Sequence, residues 1–150
     1  MGLRRYTVIA DQNAANDITI IGLTSAATIR PHLYYISFGS DATPADQAFN
    51  MTVQRYTAAG TATAVTPHAH DPANPASLAA GASNHTAEPT YTAGAILLDF
   101  AINQQATFQY QTIPEEGFVL PATAANGAGL QFESLSGGTA NSRATFYHAE

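Results

Sequence analysis

His32-Leu33-Tyr34-Tyr35-Ile36-Ser37-Phe38, opened by Pro31 and followed by Gly39, is the stretch from which the fold can be read. Its residues are mostly aromatic or β-branched and it has strand length. Leu33, Tyr35 and Ser37 alternate with Tyr34, Ile36 and Phe38, so the two sets face opposite ways on an extended chain. Working outward, the same signal recurs. Arg4–Ala10 sets Tyr6, Val8 and Ala10 against Arg5, Thr7 and Ile9, and Asp17–Leu23 follows after a turn expected at Asp11-Gln12-Asn13. Phe49–Tyr56 places Phe49, Met51, Val53 and Arg55 on one side. Ala95–Ile102 and Ala106–Thr112 flank Asn103-Gln104-Gln105, which reads as a tight hairpin connection. Gly117–Leu120, Gly129–Leu135 and Arg143–Ala149 complete nine runs, the last preceded by a turn at Gly137-Gly138. Strands about ten residues apart, with turn residues between them, describe an all-β sandwich, jelly roll or barrel. No window carries a long stripe of period 3.6, which excludes helical and βαβ folds.

Two stretches read differently. Thr43 as N-cap with Pro44 behind it predicts one helical turn between the third and fourth runs. From Thr57 to Thr92 the chain is rich in Ala, Thr, Pro, Asn and His, and its apolar periodicity is weak. Apart from a short extended piece, Ala62–Val65, and a helical turn over Pro75–Ala80, residues 57–92 are expected to form a long ordered loop excursion from a single domain spanning 1–150.

Composition narrows the function. A chain of 150 residues can bury a core that needs no staple. The absence of Cys removes disulfide frameworks, thiolate metal sites and cysteine nucleophiles together. Net charge is −6, and every basic residue is an arginine: Arg4, Arg5, Arg30, Arg55 and Arg143. No basic cluster exists to displace phosphate counterions, so nucleic acid is not expected as a partner. The apolar run Ala93–Leu98 falls far short of the ~20 residues of a membrane span, and the N-terminal residues lack an apolar signal core. A soluble, unprocessed protein without a membrane partner is expected. Charged residues make up only 11% of the chain, under half the usual ~25%. So uncharged a surface, on a strand-rich chain, is expected to be covered by partners.

The sharpest chemical motif is His68-Ala69-His70-Asp71, where two imidazoles at i and i+2 on extended chain point the same way beside a carboxylate. A third ligand with supporting spacing is missing from the sequence, and the alternative is a pair of histidines hydrogen-bonded within a proline-rich loop or lying at a subunit contact. Gly81-Ala82-Ser83-Asn84-His85 lacks the last glycine of a nucleophile elbow. Glu115 and Glu116 are adjacent and diverge on an extended chain, which fits a solvated turn after Pro114 better than an acid/base pair. Neither a catalytic residue nor a cofactor is expected. Tyr34, Tyr56, Tyr91, Tyr110 and Tyr147 could instead form a platform on which sugar rings stack.

Four strings carry a resemblance. They are Phe38-Gly39-Ser40-Asp41-Ala42-Thr43-Pro44-Ala45-Asp46, Gln54-Arg55-Tyr56-Thr57-Ala58-Ala59-Gly60-Thr61, Thr66-Pro67-His68-Ala69-His70-Asp71-Pro72 and Asn84-His85-Thr86-Ala87-Glu88-Pro89-Thr90-Tyr91. The stretch that holds them, from about Tyr35 to Tyr110, resembles small virion proteins encoded among the head genes of tailed bacteriophages. The resemblance implies a jelly-roll-like β-sandwich of about eight or nine strands. It also implies a non-enzymatic decoration, or cement, protein on the outer capsid, made in the bacterial host cytoplasm and resident in the virion. The expected partners are the major capsid protein and further copies of the chain, as a trimer or dimer. Arg4, Arg5, Arg55, His68, His70 and Asp71 are the residues expected at capsid or oligomer contacts, because the planar guanidinium of Arg suits interface carboxylates. A head-to-tail connector, a tail component, or a module that binds carbohydrate or another receptor remain alternatives.

Overall fold

The alternation read from the sequence becomes twelve strands in the computed structural model, which describes residues 3–14, 17–41, 43–133 and 140–150. They are β1 (Arg5–Ala14), β2 (Ile18–Thr24), β3 (His32–Ser40), β4 (Ala48–Ala58), β5 (Thr61–Val65), β6 (His68–Ala69), β7 (Ala80–Ala87), β8 (Thr90–Asn103), β9 (Thr107–Gln111), β10 (Phe118–Val119), β11 (Gly127–Glu133) and β12 (Ala140–Ala149). One 3-10 turn, Pro114–Glu116, sits between β9 and β10. Two antiparallel sheets make a sandwich. Sheet A runs β10-β3-β12-β1-β6, with β9 on the same edge of β3 as β10, and sheet B runs β5-β7-β2-β11-β4-β8.

The pairing is nested. The first strand pairs with the last, β1 with β12; then β2 pairs with β11, β3 with β9 and β10, and β4 with β8. The pairs β12·β3 and β11·β4 join these ladders into sheets. Inward residues come from the alternate positions read in the sequence. Tyr6, Val8, Ala10, Ile36, Phe38, Ala144 and Phe146 face in from sheet A, while Phe49, Met51, Val53, Leu130 and Phe132 face in from sheet B, all at most 2% exposed. Phe38 meets Phe49 edge-on across the sheets at 5.7 Å, and Phe49 lies 4.6 Å from Phe132. A bulge interrupts β3: Tyr35 opposes Tyr147 and Leu33 opposes His148, so Tyr34 is the extra residue and both Leu33 and Tyr34 are buried.

Several expectations are corrected. Residues 57–92 are not a loop excursion: β5, β6 and β7 lie within them, and β7 is an interior strand of sheet B. These strands are built from Ala, Thr, Ser and Gly because β7 packs closely over β1. A Cβ on Gly81 would stand 2.6 Å from Val8 Cγ1 and 2.7 Å from the Val65 carbonyl oxygen. The helical turn over Pro75–Ala80 is absent, because the Leu78 and Ala79 N–H groups donate to the Glu150 carboxylate instead. No helical turn follows Thr43. Asn103–Gln105 is a turn but not a hairpin, since it carries the chain from β8 in sheet B to β9 in sheet A. The turn expected at residues 11–13 is replaced by a continuous β1. The end of the run expected through Leu135 and the Gly137-Gly138 turn lie outside the described residues. Among the described residues no helix is long and apolar enough to cross a membrane.

Candidate functional site

The outer faces of the two sheets differ in kind. Over β2 and β11 the outside of sheet B is covered by its own side chains. Gly22, Gly127 and Gly129 leave a trough that Tyr56, Tyr91 and His85 fill. A Cβ on Gly127 would stand 2.6 Å from Tyr56 Oη, and one on Gly129 the same distance from Tyr91 Oη. The polar atoms there satisfy one another. The Thr19 N–H donates to the Glu88 carboxylate at 3.0 Å, and the Thr19 hydroxyl donates to it as well. Tyr91 Oη donates to Thr19 Oγ1 at 2.6 Å, and the His85 Nδ1–H to the Thr19 carbonyl at 2.9 Å. Burial pushes the Tyr56 hydroxyl up to about 12, moderated by its bond to Thr24, and pushes Tyr91 up further. Burial holds the His85 imidazole below its usual range, with Glu88 and the Thr19 carbonyl opposing. This cluster ties the β7–β8 connection to β2 and covers the glycines of β2 and β11.

The outside of sheet A is open. Register places outward residues in rows across four or five strands. One row runs His68, Thr7, Tyr147, Tyr35, Gln111; the next Ile9, Thr145, Ser37, Gln109; the next Asp11, Arg143, Gly39, Thr107. Tyr35 and Tyr147 stack at 4.4 Å and 20°, and His70 meets Tyr147 edge-on at 4.9 Å. Ile9 is 54% exposed amid polar neighbours. Arg143 lies between Asp11 at 3.1 Å and Asp41 at 2.7 Å, and the three groups together leave this corner one net negative charge. The hydrogen bond to Asp41 and the two carboxylate charges raise its guanidinium pKa. An exposed network of this kind adds little to stability and more to orientation.

Beside this face lies a groove of about 320 Å³ lined by Leu3, Arg4, Arg5, His70, Asp71 and Asn74. It unites four of the six residues expected from the sequence at contacts. His68 stands next to them on β6, paired with Thr7. Arg55 does not join them: its Nη1 donates to the Val119 carbonyl at 2.7 Å and clips β4 of sheet B to β10 of sheet A. His70 Nε2 is 2.6 Å from Thr7 Oγ1. Burial, helped by Arg5 and His148, lowers its pKa. Asp71 Oδ1 accepts the Ala73 N–H at 2.9 Å, so the carboxylate shapes a turn. Among the described residues no group of three or more His, Cys, Asp or Glu is placed to hold a metal ion.

The segment that follows the groove is held by Glu150. Its carboxylate accepts hydrogen bonds from Ser77 Oγ, the Leu78 N–H at 3.1 Å and the Ala79 N–H at 2.9 Å, with His148 Nε2 at 3.3 Å. Burial alone would raise this carboxyl; the donors outweigh it and hold it down at about 2. Tyr6 stacks on His148 and donates to the Pro75 carbonyl, fixing the same segment from below. Sequence reading missed the face itself. Thr7 and Ile9 stood opposite the core face of β1, but only pairing with β12 and β3 adds Thr145, Tyr147 and Tyr35 to them. The five tyrosines proposed as a platform are divided, with Tyr34 and Tyr147 on sheet A, Tyr56 and Tyr91 on sheet B, and Tyr110 stacked on Phe118. No family model matches the chain, and no curated protein or solved structure matches it either.

Proposed function

We propose that this chain is a non-enzymatic phage virion protein that binds the outer surface of the assembled capsid through sheet A and stabilises the shell as a decoration protein. The observation that carries the reading is the contrast between the sheets. Sheet B covers its outer face over β2 and β11 with Tyr56, Tyr91 and His85, whereas sheet A offers rows of Thr, Ser, Gln and stacked Tyr around an exposed Ile9. Uncharged surface of this kind, with aromatic and Arg anchors and a polar rim, is what a protein interface uses. The Arg4, Arg5 and His70 groove lies at its margin.

The nested pairing supports the finer reading of the fold as a jelly roll. Sheet A's β1-β12-β3-β9/β10 order and sheet B's β2-β11-β4-β8 order are those of two interlocked Greek keys, an architecture used by viral capsid and lectin domains. In this reading β5, β6 and β7 are an insertion between β4 and β8, the innermost pair of the nest. Two of the resembling strings also meet in space. Tyr56 pairs with Tyr91, Ala58 with Thr90 and Thr61 with Ala87, around the positive-φ corner at Gly60.

A ligand that binds the assembled shell better than its separated subunits stabilises assembly by mass action, with no chemistry. Symmetric self-association into a dimer or trimer would multiply a weak contact. The test is co-sedimentation with capsids assembled without the protein. Saturable binding, lost on Tyr147→Ala, is expected. Absence from shells together with binding to tails or glycan would favour the connector or receptor-binding alternatives instead.

A further inference from the structure

We infer that sheet A has a strand-sized opening beside β1 that receives an extended arm of the shell subunit by β-augmentation. This rests on the capsid-binding reading above and gives it an atomic contact.

The opening follows from register. Arg4 and Glu150 exchange both main-chain hydrogen bonds, at 3.0 and 2.9 Å. Main-chain groups alternate sides along a strand, so Tyr6, Val8, Ala10 and Gln12 bond to β12, and Arg5, Thr7, Ile9, Asp11 and Asn13 point the other way. On that side Arg5 receives the His70 N–H at 2.9 Å and Thr7 is paired with His68. There β6 ends. At Pro67 the chain leaves towards β5, and Ile9, Asp11 and Asn13 make no main-chain hydrogen bond on this edge among the described residues. All three residues are exposed. The open run carries no Lys, Pro or bulge to blunt the edge, and its one charged residue, Asp11, is paired with Arg143.

Sheet B overhangs the opening. β7 crosses above β1, shown by the contact of Gly81 with Val8, and β5 lies one strand further out. Every residue of β5 is exposed or half-buried, in contrast to Gly81, Ser83 and His85 on β7. β5 is thus a strand of sheet B with no matching strand of sheet A beneath most of it. A single added strand would bond to Ile9, Asp11 and Asn13 and cover β5 in the same step.

The overhang also selects the occupant. The β1 edge of a second copy would bring its own β5 and β7 into the space that β5 already occupies, so edge-to-edge pairing of two copies is obstructed and one free arm fits. Five residues of strand, about 17 Å, fill the open run. Small or apolar side chains suit its β5 side, against Thr63 and Val65, which share the inward face of Ser83 and Gly81. A polar or basic residue suits the position opposite Asp11.

The test is amide hydrogen exchange of the intact protein, free and bound to capsids assembled without it. In the free protein the Ile9, Asp11 and Asn13 amides should exchange fast while Val8, Ala10 and Gln12 are protected. On the shell the first three should slow by at least about a hundredfold, as amides taken into a ladder do, and Asn13→Pro should weaken shell binding while leaving the melting temperature of the free protein unchanged. Slow exchange of the three amides in the free protein would show that the edge is already covered and overturn the inference. Saturable shell binding with the three amides still fast would overturn it while leaving the decoration reading intact. No shell binding at all would overturn both.

Discussion

Replacing Glu150 by Gln probes how the segment 77–79, which leads from the groove into β7, is held. The carboxylate anchors Ser77, Leu78 and Ala79 and is held down at about 2 against an ordinary 4.5. A depression of roughly 2.5 pKa units corresponds to about 3 kcal/mol of native-state stabilisation at neutral pH. Only 6% of the side chain is exposed, so solvent screening removes little of this. Gln retains one acceptor oxygen, which brings the expected loss to about 2–3 kcal/mol, or about 5–10 °C in melting temperature for a chain of this size. The sign of the pH dependence follows from the direction of the shift. A carboxyl depressed in the folded state stabilises it fully above pH 4.5 and progressively less as pH falls towards 2. Urea unfolding of both proteins from pH 7 to pH 2.5 should therefore show a gap that is constant down to about pH 5 and then closes. A gap of equal size at pH 7 and pH 2.5 would refute the carboxylate as its origin, and no gap at pH 7 would refute the anchoring.

Further outcomes follow from the same geometry. Gly127→Ala would place a Cβ 2.1 Å from the Leu23 carbonyl oxygen and 2.6 Å from Tyr56 Oη, so thermal melting should show a loss at or beyond the upper end of the ~1–3 kcal/mol of ordinary overpacking. Phe49→Ala empties the ring that joins Phe38 to Phe132 and should cost about 3–5 kcal/mol in chemical denaturation. Ile9→Glu, at an exposed position, should leave melting within about 0.5 kcal/mol of wild type yet reduce shell occupancy at least tenfold in co-sedimentation. Equal occupancy would exclude the face around Ile9 as the contact.

The sequence disclosed the layers of the fold because burial there follows strict alternation. Tyr6, Val8 and Ala10 are interior, while Arg5 and Ile9 are exposed and Thr7 is half-buried, as period two requires. It hid β5 and β7 because the inward positions of β7 are Gly81 and Ser83, with Gly81 selected for closeness to Val8 of β1 and not for hydrophobicity. The Asn103–Gln105 turn was legible as a turn, but whether it joins neighbours or crosses between sheets depends on which strands β8 and β9 find, information held by β4 and β3. The candidate site was legible in part for the same reason. Arg4, Arg5, His70 and Asp71 are distinctive residues and could be singled out, whereas Thr7, Tyr35, Thr145 and Tyr147 become a surface only after residues more than a hundred positions apart are paired. Arg55 was legible as standing on the side of Phe49, Met51 and Val53, but that its guanidinium reaches the Val119 carbonyl depends on where β10 lies.

The most direct test of the central claim is the melting of capsids assembled without this protein, measured with and without saturating amounts of it. A rise in the shell's melting temperature that grows with bound protein and disappears with Tyr147→Ala is the expected result. Saturated shells that melt at the temperature of bare ones would contradict a stabilising role, even if binding itself were retained.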